Sequence, residues 1–134
     1  MYIPKYFSEK ECFPPAITPN WGLMDDRILK SADKLREKFG PLLCNMRMLT
    51  QCGFRTKGSI TSQHRFGRAM DLHSSNHSYY NMRKYILTNP DKFPYITFLE
   101  VDVNWLHIDC RNNEGIIKLW SPKRGFITKE KYLS

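Results

Sequence analysis

The sequence predicts a small single α+β domain, a central antiparallel sheet flanked by helices. Three observations predict it: apolar residues recur at helical spacing between 28 and 39, two β-rich runs at 95–101 and 105–110 flank a turn-forming Asp102-Val103-Asn104, and the 134 residues contain no linker, repeat or low-complexity segment. A chain of that length can bury a real core. Its 41% hydrophobic and 25% charged residues lie near the globular average, which excludes wholesale disorder.

The elements follow in order. Residues 1–22 are punctuated by Pro4, Pro14, Pro15 and Pro19 and read as an irregular arm, with one helical turn near Ser8 to Cys12; residues 23–134 form the domain itself. Asp25-Asp26 supply an N-cap and an acidic first turn. Ile28, Leu29, Ala32, Leu35 and Phe39 then fall on one helical stripe, stopped by Gly40 and Pro41. Pro41 to Leu49 contains a candidate strand, and Thr50 to Arg65 is polar and loop-like. Arg68 to His73 reads as a short strand, and Ser74 to Ser78 caps a second helix over Tyr79 to Thr88 that Pro90 ends. The runs Tyr95 to Val101 and Trp105 to Cys110 form a hairpin, and Gly115 to Trp120 adds an edge strand.

With 21 Lys+Arg against 13 Asp+Glu, the formal charge is +8. That balance favours a polyanionic partner: nucleic acid, an anionic membrane face or an anionic cell envelope. The basic residues are scattered, and zinc-finger spacing, an RRM signature and a helix-turn-helix pattern are all lacking, so nucleic acid is the weakest of these. No apolar run approaches the roughly 20 residues that span a bilayer. Lys5, Glu9, Lys10 and Glu11 interrupt any signal-peptide core, and the expectation is a soluble product made in a cytoplasm. The four cysteines form no C-x-x-C pair and read as reduced, buried, small apolar residues, with Cys44 and Cys52 the first pair to examine in an oxidising compartment.

The chemistry gathers around two histidines. His64 lies in Ser62-Gln63-His64-Arg65-Phe66-Gly67-Arg68-Ala69-Met70-Asp71, a loop His followed seven residues on by an Asp in a β-like segment. Gly67 permits a turn between them and Ala69 leaves room beside them. Around His107, strand alternation places Trp105, His107 and Asp109 on one face and Leu106 and Ile108 on the other. Together His64, Asp71 and His107 would supply two imidazoles and a carboxylate, the three-ligand set of a catalytic zinc site with a fourth position open. The plainer alternative is satisfied or surface histidines.

These residues resemble a known family. S-x-H-x-x-G-x-A-x-D, met in full by Ser62, His64, Gly67, Ala69 and Asp71, is similar to the signature of the D-Ala-D-Ala metallopeptidases. That family includes D-alanyl-D-alanine carboxypeptidases, vancomycin-resistance dipeptidases and phage L-alanyl-D-glutamate endolysins, and the hedgehog signalling domain shares its fold. Trp105-Leu106-His107 resembles the family's second element, Trp-x-His in a strand after an acidic residue, and Gly53-Phe54-Arg55 resembles a run that precedes Ser-x-His in phage members. The resemblance spans residues 25–112 and implies a hedgehog-like fold with His64, Asp71 and His107 as ligands of Zn2+.

It also implies an acidic general base shortly before the last ligand. Many members carry Glu or Asp three residues ahead of that His, where this chain has Asn104. The candidates are Glu100, at the end of the preceding strand, and Asp102, in the turn, with Glu100 favoured. Arg55 is the candidate for stabilising an oxyanion or gripping a substrate carboxylate, with an ordinary surface Arg as the alternative. Ser62 reads as holding the ligand loop by a hydrogen bond, His73 as a neighbour of Asp71 or an exposed side chain, Asp109 as orienting His107 or bonding a nearby loop, Trp105 as flanking a groove or packing, and His77 as surface.

The leading expectation is a zinc peptidase that cuts a peptide bond of the peptidoglycan stem, as carboxypeptidase or endopeptidase. It would be a phage lysis enzyme held in the host cytoplasm until release, or a virion-associated one, with its positive charge helping it stay on an anionic cell wall. The competing expectation is a non-enzymatic module of the same fold, a virion or scaffold component that binds zinc or wall peptide. A nucleic-acid-binding protein is the third.

Overall fold

A computed structural model describes residues 1–44, 52–113 and 115–134. Helix α1 (Glu9–Cys12) is a single turn closed by a capping box, in which Ser8 and Glu11 satisfy each other's backbone N–H groups. Helix α2 (Asp26–Phe39) starts where the Asp25 carboxylate accepts from the Arg27 N–H and ends at Gly40, whose φ of 77° reverses the chain. Its buried face carries Ile28, Leu29, Ala32 and Leu35, all fully buried. Each large aliphatic side chain there contributes about 1.5–3 kcal/mol by leaving water.

The arm over residues 1–22 puts Phe7, Cys12, Phe13 and Trp21 into the same core cluster as α2. Asp33 secures it: a buried carboxylate on α2 accepts from Tyr2 Oη at 2.6 Å, Lys5 N at 2.9 Å and Tyr6 N at 3.3 Å. The bond to Asp33, helped by burial, pushes the Tyr2 phenol up to about 12.

Strand β1 (Leu43–Cys44) is the described part of the strand expected within 41–49; residues 45–49 of that expectation lie outside the described residues. After it come β2 (Ala69–His73), α3 (Tyr79–Thr88), β3 (Phe98–Glu100), β4 (Leu106–Asp109), β5 (Lys118–Ser121), β6 (Gly125–Ile127) and α4 (Lys129–Leu133). Ser78 caps α3 by accepting from the Asn81 N–H, as the sequence suggested. The six strands form one sheet in the order β1-β2-β4-β3-β5-β6.

The α+β class stands, but the sheet is mixed, not antiparallel: β3 and β5 pair in parallel. The cause is where β4 ends. Asp109 lies opposite Phe98, so the chain leaves β4 beside the start of β3. The following connection stays at that end, with Asn113 Nδ2 donating to the Thr97 carbonyl at 2.8 Å and Lys118 N to the same oxygen at 3.0 Å. Strand β5 therefore enters from the end where β3 begins and runs the same way. Nor is β5 an edge: Pro122-Lys123-Arg124 turn the chain, Gly125 takes φ 73°, and β6 covers β5.

Strict alternation divides the sheet into two faces. Met70, Leu72, Leu99, Leu106, Ile108 and Leu119 point to one side and join the buried faces of α2 and α3 in a single core. The other side carries two cross-strand rows. One is Ala69, Asp109, Phe98 and Lys118; the next is Asp71, His107, Glu100 and Trp120.

Gly67 is required twice over. Its φ of 65° is left-handed, and a Cβ there would sit 2.0 Å from the Leu23 carbonyl oxygen. Gly67→Ala is expected to cost about 3–5 kcal/mol, because backbone rather than a movable side chain is in the way. A urea-unfolding midpoint measures it, and a loss below 1 kcal/mol would show that the 64–67 turn relaxes freely.

Candidate metal centre

Each of the three central side chains is presented by a different device. His64 sits in a short 3-10 turn, Gln63–Phe66, which Gly67 ends by donating its N–H back to the His64 carbonyl at 3.2 Å. Asp71 is the middle residue of β2, and His107 lies directly opposite it on β4. Opposed residues share a face, so the ladder register alone brings Asp71 and His107 together.

A segment in front of the turn fixes His64 against them. The Cys52 carbonyl accepts from Asp71 N at 2.8 Å, the Gly53 carbonyl from His64 Nδ1 at 2.9 Å, and Arg55 N donates to the His64 carbonyl at 3.1 Å. With Nδ1 of His64 bonded to the Gly53 carbonyl, Nε2 is the nitrogen that faces the site, 3.3 Å from Asp71 Oδ2. The same segment lies against the end of α1, where Gly53 is required: a Cβ there would lie 2.2 Å from the Cys12 carbonyl oxygen.

His107 is held from behind. Its Nε2 bonds Asp109 Oδ2 at 2.8 Å, leaving Nδ1 facing Asp71 Oδ1, also at 2.8 Å. Asp109 has no solvent exposure and is gripped in turn by Arg111, whose Nε and Nη2 donate at 2.9 and 2.6 Å. Arg111 lies 3.6 Å over the centre of the Phe98 ring, and Phe98 meets His107 edge-on. Small Ala69, opposite Asp109, leaves space for this clamp.

Electrostatics follow the geometry. Burial works against the charged form of Asp71, but hydrogen bonds from His107 and His64 outweigh it and hold the carboxyl well below the usual carboxylate range. Asp109 is likewise held low by His107 and Arg111 against its burial. Burial also opposes protonation of His107, yet its bonds to Asp109 and Asp71 raise it to about 9.

One donor atom from each of His64, Asp71 and His107 lies within 4.8 Å of the others, and among the described residues no second such group exists. Two buried imidazoles, each with its second nitrogen fixed by a hydrogen bond, and one buried carboxylate fit a divalent metal. Comparison with family models, with curated proteins and with solved structures finds no match to this chain. The donor set therefore carries the chemistry by itself.

The candidate bases separate clearly. Glu100 is the register partner of His107 on β3, in the same row as Asp71, and is half-buried. Asp102 lies in the β3–β4 turn at φ 61°, its carboxylate bonded by Arg124 Nε at 2.8 Å and Nη2 at 3.0 Å and by Ser121 Oγ. Arg124, with Ser121, holds it below the usual carboxylate range. Arg55 reaches Asp71, Nη2 to Oδ2 at 3.5 Å, with a quarter of its side chain exposed.

Other expectations resolve one by one. Ser62 makes no side-chain cap bond; backbone groups of 53, 55 and 67 hold the ligand loop instead. His73 touches Cys52 Sγ at 3.7 Å, and exposed His77 lies edge-on to Phe39. Asp109 both orients His107 and bonds the following residues through the Arg111 N–H and guanidinium. Trp105 is half-buried, and Arg83 ties down its carbonyl and that of Val103 at 2.7 and 2.8 Å. All four cysteines are buried, and no disulfide joins any of them among the described residues, Cys44 and Cys52 included.

Arg111 was not singled out from the sequence, although its spacing of two from Asp109 was a usable signal. Asp109→Asn is expected to weaken zinc binding about 10–100-fold, since the clamp loses its charge while the shape stays. Competition against a chromogenic chelator reads this, and unchanged affinity would remove Asp109 from the site.

Proposed function

We propose that this protein is a zinc-dependent peptidase that hydrolyses a peptide bond of the peptidoglycan stem, serving as a phage lysis or virion-associated enzyme. The observation that carries it is the convergence of His64 Nε2, Asp71 and His107 Nδ1, with Glu100 in the adjacent place of the same row. The substrate class and the hedgehog-like character of the fold come from the resemblance of Ser62 to Asp71 and Trp105 to His107 to the D-Ala-D-Ala metallopeptidases. A surplus of positive charge supports retention on an anionic wall.

His64, Asp71 and His107 would hold the ion. Zinc in a three-ligand site supplies Lewis acidity, polarising a carbonyl and making water acidic near neutral pH. The Glu100 carboxylate takes the proton from the attacking water and delivers it to the departing amine nitrogen. Asp102, neutralised by Arg124, is left with the turn. Arg55 offers positive charge beside Asp71, where it steadies a developing oxyanion or a substrate carboxylate. Asp109 and Arg111 keep the His107 ring in place throughout.

Purified peptidoglycan with wild type, His64→Ala and added zinc tests the proposal. Wild type is expected to release new amino groups, and His64→Ala none. Absence of turnover by zinc-loaded wild type overturns the enzyme reading, and stoichiometric presence in purified particles without turnover would favour the non-enzymatic module.

A further inference from the structure

The row that contains the candidate base does not stop at Glu100. Through the β3–β5 register it continues to Trp120, and through the β5–β6 register to Phe126, all on the face that carries Asp71 and His107. At the spacing of neighbouring strands, Phe126 lies about 10 Å from Glu100. Trp120 is half-buried, and Phe126, 72% exposed, is the most exposed aromatic side chain among the described residues. On the opposite side of these strands Leu119 and Ile127 serve the core, so the Trp120–Phe126 pair lies on the outward side of the sheet.

We propose that Trp120 and Phe126 form a sugar-binding subsite for the glycan to which the stem peptide is attached. This rests on the peptidase reading for the choice of ligand. A pyranose ring presents a flat face of C–H groups that stacks on an aromatic ring, while its hydroxyl and N-acetyl groups need polar partners at the rim. The strip offers both. Lys118 lies one row away on the same face, and Lys123 and Arg124 occupy the β5–β6 turn. Arg124 is paired with the nearby acid Asp102, so Lys118 and Lys123 are what make the rim cationic, which suits a saccharide whose peptide carries free carboxylates. Continuity with the metal centre sets the direction: with the scissile bond over His107 and Glu100, the sugar end of the substrate extends towards β6.

The test uses the tetramer of β-1,4-linked N-acetylglucosamine, a peptide-free glycan, in the presence of EDTA so that no hydrolysis or metal is involved. Wild type is expected to bind it saturably, with Kd of about 1 mM or tighter, read by calorimetry and tryptophan fluorescence. Phe126→Ala weakens binding at least tenfold, and Phe126→Trp restores it. Phe126 is at the surface, so circular dichroism should be unchanged in both variants. No saturable binding by wild type, or equal binding by Phe126→Ala, overturns the subsite. Loss of affinity only for a free stem peptide would make the strip a peptide site and overturn it as well. Sugar binding without peptidoglycan hydrolysis would instead remove the peptidase reading and leave the subsite standing.

Discussion

Glu100→Gln is expected to lower peptide hydrolysis by about 10²–10⁴-fold, the usual weight of a positioned general base, while zinc uptake stays at one ion per chain. Glutamine keeps the size and position of the side chain on β3 but cannot accept the proton. The three residues proposed to hold the ion lie on β2, β4 and the 64–67 turn, so their arrangement does not depend on the charge at position 100. Asp102→Asn is the control: its carboxylate is committed to Arg124 and Ser121, and hydrolysis should change by less than about threefold, within the small effects expected away from the site. Steady-state rates on purified peptidoglycan, with zinc measured by atomic absorption, distinguish the two carboxylates. A large loss in Asp102→Asn with none in Glu100→Gln would transfer the role to the turn.

Zinc is expected to invert the pH dependence of stability. In the metal-free protein, His107 titrates at about 9, against an ordinary histidine value near 6.5 in the unfolded chain. A raised value means that the folded state binds the proton more tightly. The resulting stabilisation is full below about pH 6.5 and is lost as pH rises through about 9. Asp71 and Asp109 are held low, so their contributions are present above the usual carboxylate range and vanish only in acid. Metal-free protein is therefore most stable near pH 5–6. Zinc requires His107 Nδ1 without its proton, so ion and proton compete for one atom. The stabilisation by zinc then grows with pH, reaching about 4 kcal/mol when free zinc exceeds its Kd a thousandfold. Thermal unfolding at about pH 5.5, 7 and 9, in EDTA and in zinc, should show melting temperatures that fall with pH in the first series and a gap that widens in the second. Identical melting curves with and without zinc at pH 9 would discard the metal centre.

Helices α2 and α3 were legible because their signals are local. Asp25 and Ser78 cap them, and an apolar stripe or a following Pro90 finishes the pattern. The β3–β4 hairpin was legible for the same reason, with Asp102 reversing the chain at a positive φ. The strand β6 and the parallel β3–β5 pair were not. The parallel pair is fixed by where the connection after β4 is held, through Asn113 and Thr97, and no periodicity in the sequence encodes that end of the sheet; β6 follows from the tight turn at Pro122-Lys123-Arg124 and Gly125.

The site divides in the same way. The donor types, their order along the chain and the glycine that the 64–67 turn requires can all be read from the residues alone, because residue identity and short-range spacing are local properties. It takes the folded chain to make Asp71 and His107 register partners, to let Glu100 rather than Asp102 continue their row, and to lock Asp109 behind the His107 ring with Arg111. Those facts depend on strand register and on which carboxylate finds a cation first. Both are set by contacts between residues far apart in the chain, where spacing along the sequence carries no distance in space.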